Sequence, residues 1–214
     1  MRKILLFTHA FTFISLLCNA QITKGSTLLG GNFSFSNTSS ENSSFPNNSE
    51  KHQTFQFSPS VGIAIRQNTI VGAGLVFSRS TASHSSEFEE TNYYGINSFV
   101  RKYLSLGKNF YLFGEGSLGY IRGEQKIKQN STVKSESHNN NVSLSIYPGL
   151  AYAINKWLHL EAGLSNLLYI GYGDTHGKNT ANPNESYSGK VFTAGTSLSG
   201  ATPLSLGFRF IIAK

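Results

Sequence analysis

From residue 26 onward the dominant pattern is strict alternation of apolar and polar positions, the period of a half-buried strand. Between Thr54 and Ile65, one parity holds Phe55, Phe57, Pro59, Val61, Ile63 and Ile65. The other holds Gln56, Ser58, Ser60, Gly62 and Ala64. Similar stretches begin near Ser26, Thr69, Asn92, Phe110, Asn141, Trp157 and Val191. The pattern therefore predicts eight strands, each near the ~9–11 residues that cross a bilayer. The last runs from Val191 to Ile212, with Gly200 and Pro203 marking a bulge or bend.

Connections alternate in length. Arg66 to Asn68, Gly107 to Asn109 and Asn155 to Lys156 read as tight turns. Asn37 to His52, Ser80 to Thr91, Gly123 to Asn140 and Gly173 to Gly189 read as long polar loops. Short turns at one end and long loops at the other suit an up-and-down barrel crossing a membrane. An internal repeat agrees with the count: Phe57 to Leu75 aligns without gaps on Ile146 to Leu164, matching Pro59 with Pro148 and Gly74 with Gly163.

Alternation alone also fits a soluble lipocalin-like barrel that binds an apolar ligand. Volume argues against it. The bulky set, such as Val142, Leu144, Ile146, Leu150, Tyr152 and Ile154, repeated eight times overfills a lumen just wide enough for side chains. The bulky set is therefore assigned to lipid and the Gly, Ser, Ala and Asn set to the lumen. On that parity Arg101, Glu115, Glu161 and Arg209 point inward. A turn at Gly107 to Asn109 pairs Leu106 with Phe110 and places Arg101 opposite Glu115. Opposed charges are what a narrow lumen needs, since a lone buried charge is costly. An ion path or gate uses such charges; so does a structural plug, the preferred reading. Tyr93, Tyr94, Tyr120, Tyr169 and Tyr172 near the loop ends, and Tyr103, Tyr111, Tyr152 and Trp157 near the turns, are expected to form interfacial girdles.

Composition narrows the classes. Charged residues make up 14%, against ~25% in soluble domains. Residues 1–20 carry Arg2 and Lys3, an apolar run from Ile4 to Leu17, and Cys18-Asn19-Ala20 before Gln21. This reads as a signal peptide cleaved after Ala20, leaving 21–214 as the barrel domain. The only Cys leaves with it, and the formal charge falls from +7 to +5 as Arg2 and Lys3 go. No basic helix or nucleic-acid motif accompanies that charge, so nucleic acid is not an expected partner.

The mature stretch resembles the small bacterial outer-membrane β-barrel family of OmpA/OmpX-type, porin-like architecture. The stretches carrying the likeness are Phe57 to Gly62, Phe99 to Tyr103, Leu112 to Tyr120, Tyr147 to Tyr152 and Leu204 to Phe210. The resemblance implies an all-β, eight-stranded antiparallel up-and-down transmembrane β-barrel in the outer membrane, inserted by the barrel assembly machinery, and no single activity. Members of such families usually end on an aromatic residue; here Phe208 and Phe210 alternate correctly and the chain continues to Lys214.

Candidate chemistry is sparse. Asp174, the only Asp, lies beside Thr175 and His176, with Ser188 not far off. These are the residue types of a base-activated nucleophile, but a solvated loop explains them as well. His52, His84 and His138 lack ligand spacing. The expectation is a non-enzymatic barrel, without cofactor or metal, that has a structural or surface-interaction role through outside-facing loops and an unidentified extracellular partner. A narrow porin-like channel is the alternative.

Overall fold

The computed structural model describes residues 22–41, 49–84, 87–130, 132–164, 167–180, 185–196 and 204–213. Residues 1–20, read above as a signal peptide, lie outside them. The strands are β1 (Thr27–Glu41), β2 (Ser49–Arg66), β3 (Thr69–His84), β4 (Glu87–Gly107), β5 (Phe110–Gln129), β6 (Thr132–Ala153), β7 (Leu158–Leu164), β8 (Leu168–Asn179), β9 (Ser186–Thr196) and β10 (Leu204–Ile212).

All neighbours are antiparallel. β1 to β6 pair in chain order. β7 and β8 both pair with β6 and together form a seventh crossing. β9 and β10 pair with β8 and β7 and form the eighth. The ring closes where Thr27↔Ile212 through Gly31↔Phe208 join β1 to β10. Eight crossings thus make an up-and-down antiparallel ring whose ladder closes at the turn end, where β1 meets β10. Nearer the loop end, among the described residues, Asn32–Glu41 of β1 pairs only with β2 and β9 only with β8.

Two expectations about the strands are corrected. The regions read as long loops are mostly strand: β4 and β5 stay paired from Gly107↔Phe110 to Glu87↔Gln129, and β5 and β6 to Gln129↔Thr132. Ser, Thr and Asn satisfy a ladder as well as a loop when both faces are wet, and bilayer thickness sets no limit on a hairpin beyond its surface. The last crossing is also two strands, with residues 197–203, including Gly200 and Pro203, outside the described set.

The tight turns fall where the sequence places them. Asn68 takes a left-handed φ of 57°, a conformation Asn tolerates through its short polar side chain. Asn155 Oδ1 accepts from the backbone N–H of Trp157 and Leu158, each at 2.9 Å, an Asx turn that needs no glycine. At the third turn, Ser105 pairs Tyr111 but Gly107 pairs Phe110, so Leu106 is bulged rather than paired with Phe110. Gly107 sits at φ 147°. Below the bulge, Arg101↔Glu115 are direct partners.

The repeat is structural as well. Ser60↔Gly74 through Ala64↔Ile70 superpose in register on Gly149↔Gly163 through Ala153↔His159. The two hairpins sit on opposite sides of the ring.

One parity faces out and is apolar. Val142, Leu144, Ile146, Leu150 and Tyr152 are exposed on β6, with Ile154 just past its end, as are Ile96, Val100, Leu104 and Leu106 on β4 and Phe208, Phe210 and Ile212 on β10. From Val142 to Tyr152 the belt spans eleven residues, close to the ~9–11 of a membrane-crossing strand. Below it, residues 22–26 fold across the turn end. Ile22 N–H donates to Asn68 Oδ1 at 2.8 Å, Ala64 N–H donates to Ser26 O at 2.8 Å, and the Ile22 side chain is buried.

Candidate functional site

The inward parity carries more bulk than the small-residue expectation allowed. Phe99, Tyr103, Tyr111 and Phe113 are buried in the lumen. The small residues make room for them: a Cβ on Gly149 would lie 2.5 Å from Phe113 Cζ, and one on Gly163 2.7 Å from the Tyr147 ring. Tyr103 and Tyr111 are therefore core residues and not girdle residues; parity overrides their closeness to a turn. Tyr94, Tyr120, Tyr152, Tyr172 and Trp157 are exposed on the outer face, where a girdle belongs. Tyr93 and Tyr169 lie on the inward parity, next in sequence to outward Tyr94 and Ile170.

Four strands bring the charged residues together. Arg101 on β4 is directly across from Glu115 on β5, and its Nε donates to Glu115 Oε2 at 2.7 Å. Arg101 Nη1 reaches across the lumen to both oxygens of Glu161 on β7, at 2.7 and 2.8 Å. Tyr103 O–H donates to Glu161 Oε1 at 2.9 Å. Arg209 on β10 has its Nε 3.5 Å from Glu161 Oε2 and donates through Nη1 to Gly31 O at 2.9 Å. Arg101 and Glu161 are each 1% exposed and Arg209 is 5% exposed. The Arg101 guanidinium also lies 4.5 Å from the Phe113 ring centroid, a cation–π contact.

Two Arg and two Glu balance to zero formal charge. Each carboxylate has an Arg partner, which is the condition for burying such a set. Aromatic rings flank the cluster: Tyr111 stacks on His159 with centroids 5.3 Å apart, and Phe113 meets Tyr147 edge-on at 5.3 Å. Tyr147 on β6 and Ser205 on β10 share a hydroxyl hydrogen bond of 2.7 Å over the intervening β7. A void of about 70 Å³ adjoins Glu115 and Arg209, bordered by Asn32, Asn97 and Phe99; a polar site holds a water in roughly 10–15 Å³. His159 and Tyr103 are the residues that parity reading left out of the set. Their signal was there: both occupy the parity of Glu161 and Arg101.

Nearer the loop end the lumen widens into a vestibule of about 470 Å³. Outside it, a charge ladder crosses the hairpin extensions. Glu90 lies between Arg79 at 3.0 Å and Lys128 at 3.7 Å, and Glu136 between Lys126 and Lys178, each at 3.6 Å. The Asn92 amide, at 3.2 Å, does most to hold the Glu90 carboxyl below its ordinary value, with help from Arg79 and Lys128 and opposition from partial burial.

Asp174, His176 and Ser188 share the outer parity. His176 Nε2 is 3.1 Å from Asp174 Oδ2 and His176 is the register partner of Ser188. Among the described residues no Ser188–His176 hydrogen bond forms, and no group of three or more His, Cys, Asp and Glu is arranged for a metal.

No family model matches the chain, and no curated protein matches it. Solved structures do. The translocator domain of autotransporter NalP from Neisseria meningitidis aligns at 12% identity and a TM-score of 0.39, over 96% of this chain and 93% of that one. The ferric yersiniabactin uptake receptor FyuA from Yersinia pestis aligns at 11% identity and a TM-score of 0.35, over 69% of this chain. That match spans only 25% of the receptor's length.

Proposed function

We propose that this chain is an integral outer-membrane β-barrel with a non-enzymatic, structural or surface-interaction role, sealed against solute flow by the Arg101–Glu115–Glu161–Arg209 cluster. The observation that carries the reading is the inversion of the surface. Large apolar side chains cover the outside of a ring closed at its turn end, while charged groups fill its centre. Water would penalise that exterior; lipid would not. A chamber for an apolar ligand has no support, because the bulky set is outside.

The plug is favoured over a pore by packing. Arg101 and Glu161 bond to each other at the centre of the lumen, and aromatic rings lie on both sides of them. A conducting path would need water where these groups touch. The partners that this reading requires are outer-membrane lipid and the barrel assembly machinery. An extracellular partner would meet the extended hairpins at the loop end.

The test joins fractionation with conductance. The protein should sediment with outer membranes, resist high-salt extraction, and give no unitary steps in a planar bilayer. Recovery in a soluble fraction would overturn the membrane assignment. Reproducible steps would replace the plug with a narrow channel.

A further inference from the structure

We propose that the vestibule above the charged cluster is a binding site for a neutral, multiply hydroxylated ligand, a saccharide unit. The inference requires only the ring and its lumen, so it stands apart from the membrane reading. The cavity holds about 470 Å³ and opens toward the loop end, within the ~300–1,000 Å³ of small-molecule sites.

Its lining selects the chemistry. Gln56, Ser78, Tyr93, Asn139, Asn141 and Thr175 supply the polar groups, and Val76, Ile121 and Val191 supply an apolar wall. Among the described residues no Lys, Arg or His lines it, so an anion finds no counter-charge there. Asp174 is the single carboxylate among the described lining residues, and it is already held by His176 at 3.1 Å and by the Asn140 amide at 3.3 Å. A cation therefore finds no free acid. A purely apolar ligand would bury amides and hydroxyls without partners, at a cost for each. A sugar ring offers hydroxyls around its edge for the amides and an apolar C–H face for the Tyr93 ring and the Val/Ile wall.

The site is also kept open by its backbone. A Cβ on Gly123 would lie 2.6 Å from Tyr93 Cε1 and collide with the Asn139 amide. One on Gly173 would lie 3.1 Å from Asn141 Nδ2. Glycine at these inward positions leaves room for Tyr93, Asn139 and Asn141 to stand in the lumen. Asn139, Asn141, Ser78 and Thr175 make no side-chain hydrogen bond to the described protein, so their donors and acceptors are available to a ligand.

The full chain in an amine-oxide detergent, which carries no sugar, should show saturation-transfer NMR signals with at least one of three probes: cellobiose, maltotriose or N,N′-diacetylchitobiose. The double variant Asn139→Leu/Asn141→Leu and the single variant Tyr93→Ala should each weaken the bound probe at least tenfold. Lys126→Gln, on the outer face, should leave it unchanged. The heat-dependent gel shift of each variant reports whether the barrel has formed. Loss of binding counts only in variants that keep the shift, and loss of the shift in the parent chain would sink the barrel reading instead. The proposal fails if a folded parent binds none of the probes at ~10 mM. It fails equally if glucosamine or glucuronic acid binds as tightly, or if the folded leucine and alanine variants bind undiminished.

Discussion

Arg101 bonds to Glu115, Glu161 and Tyr103 through two of its nitrogens, so its removal takes the Arg partner from Glu115 and leaves buried Glu161 with only the Tyr103 hydroxyl and the longer Arg209 contact. Arg101→Ala should destabilise the barrel by roughly 3–5 kcal/mol, as expected when one partner of a buried pair is deleted. Arg101→Ala with Glu161→Ala should cost less than the two single changes added together, with a coupling of at least ~0.5 kcal/mol. The Arg101–Glu115 coupling should be smaller, because Glu115 keeps 14% side-chain exposure and borders the polar void. Arg101→Lys should not restore the parent stability, since an ammonium cannot fork between two carboxylates. Denaturant titration in lipid vesicles measures all four, and strict additivity would show that the pairs are solvated. The inward direction of the four charges was legible from period-two counting alone. The Arg101–Glu115 pairing followed from the Gly107 turn; the contact of Arg101 with Glu161 did not, because it crosses the lumen, a distance set by strand tilt and stagger that one strand's pattern does not carry. The misplaced Tyr103 and Tyr111 show two rules in conflict: closeness to a turn suggests a girdle, parity with Arg101 and Phe113 dictates the core, and parity governs because the pleat fixes it.

At the scale of the strand, the apolar belt and the polar hairpin extensions should respond to different perturbations. Val100 is exposed midway between Tyr94 and Leu106 on β4. Val100→Arg should cost ~2–4 kcal/mol in a bilayer, whereas Leu106→Arg, beside the turn, should cost ~0–1 kcal/mol. Equal costs in vesicle-based unfolding would mean that the belt does not cross the hydrocarbon. The extensions should respond to acid. Glu90 is held below its ordinary value, so its contribution is complete above the unfolded carboxyl value and is lost as pH falls through the lowered folded one. Amide protection factors in the β4–β5 extension, taken relative to intrinsic exchange at each pH, should fall across that acid window, and Glu90→Gln should flatten the change. The belt was readable because alternating large apolar groups leave one assignment that fits a narrow ring. The extensions were not readable, because Ser, Thr and Asn on both faces satisfy a solvated ladder and a solvated loop alike, and cross-strand register decides between them.

For the whole molecule, strand number and closure followed from the repeat and the alternation: the 57–75 and 146–164 hairpins occupy equivalent registers on opposite sides of the ring. The division of the last crossing was only hinted at by Gly200 and Pro203. The vestibule could not be read from sequence, since it depends on which residues of β2 to β6, β8 and β9 converge at one level of a staggered barrel. The central claim is that one barrel presents lipid-facing side chains outside and a packed, charged plug inside. Its most direct test is a nitroxide scan of β4 in lipid vesicles, placing single cysteines from residue 94 to 104, except at Arg101, in a Cys18→Ser background. Even positions should be relaxed by lipid-soluble oxygen, while 99 and 103 should be shielded from both oxygen and an aqueous nickel chelate. Nickel access at the even positions, or at 99 and 103, would contradict the account.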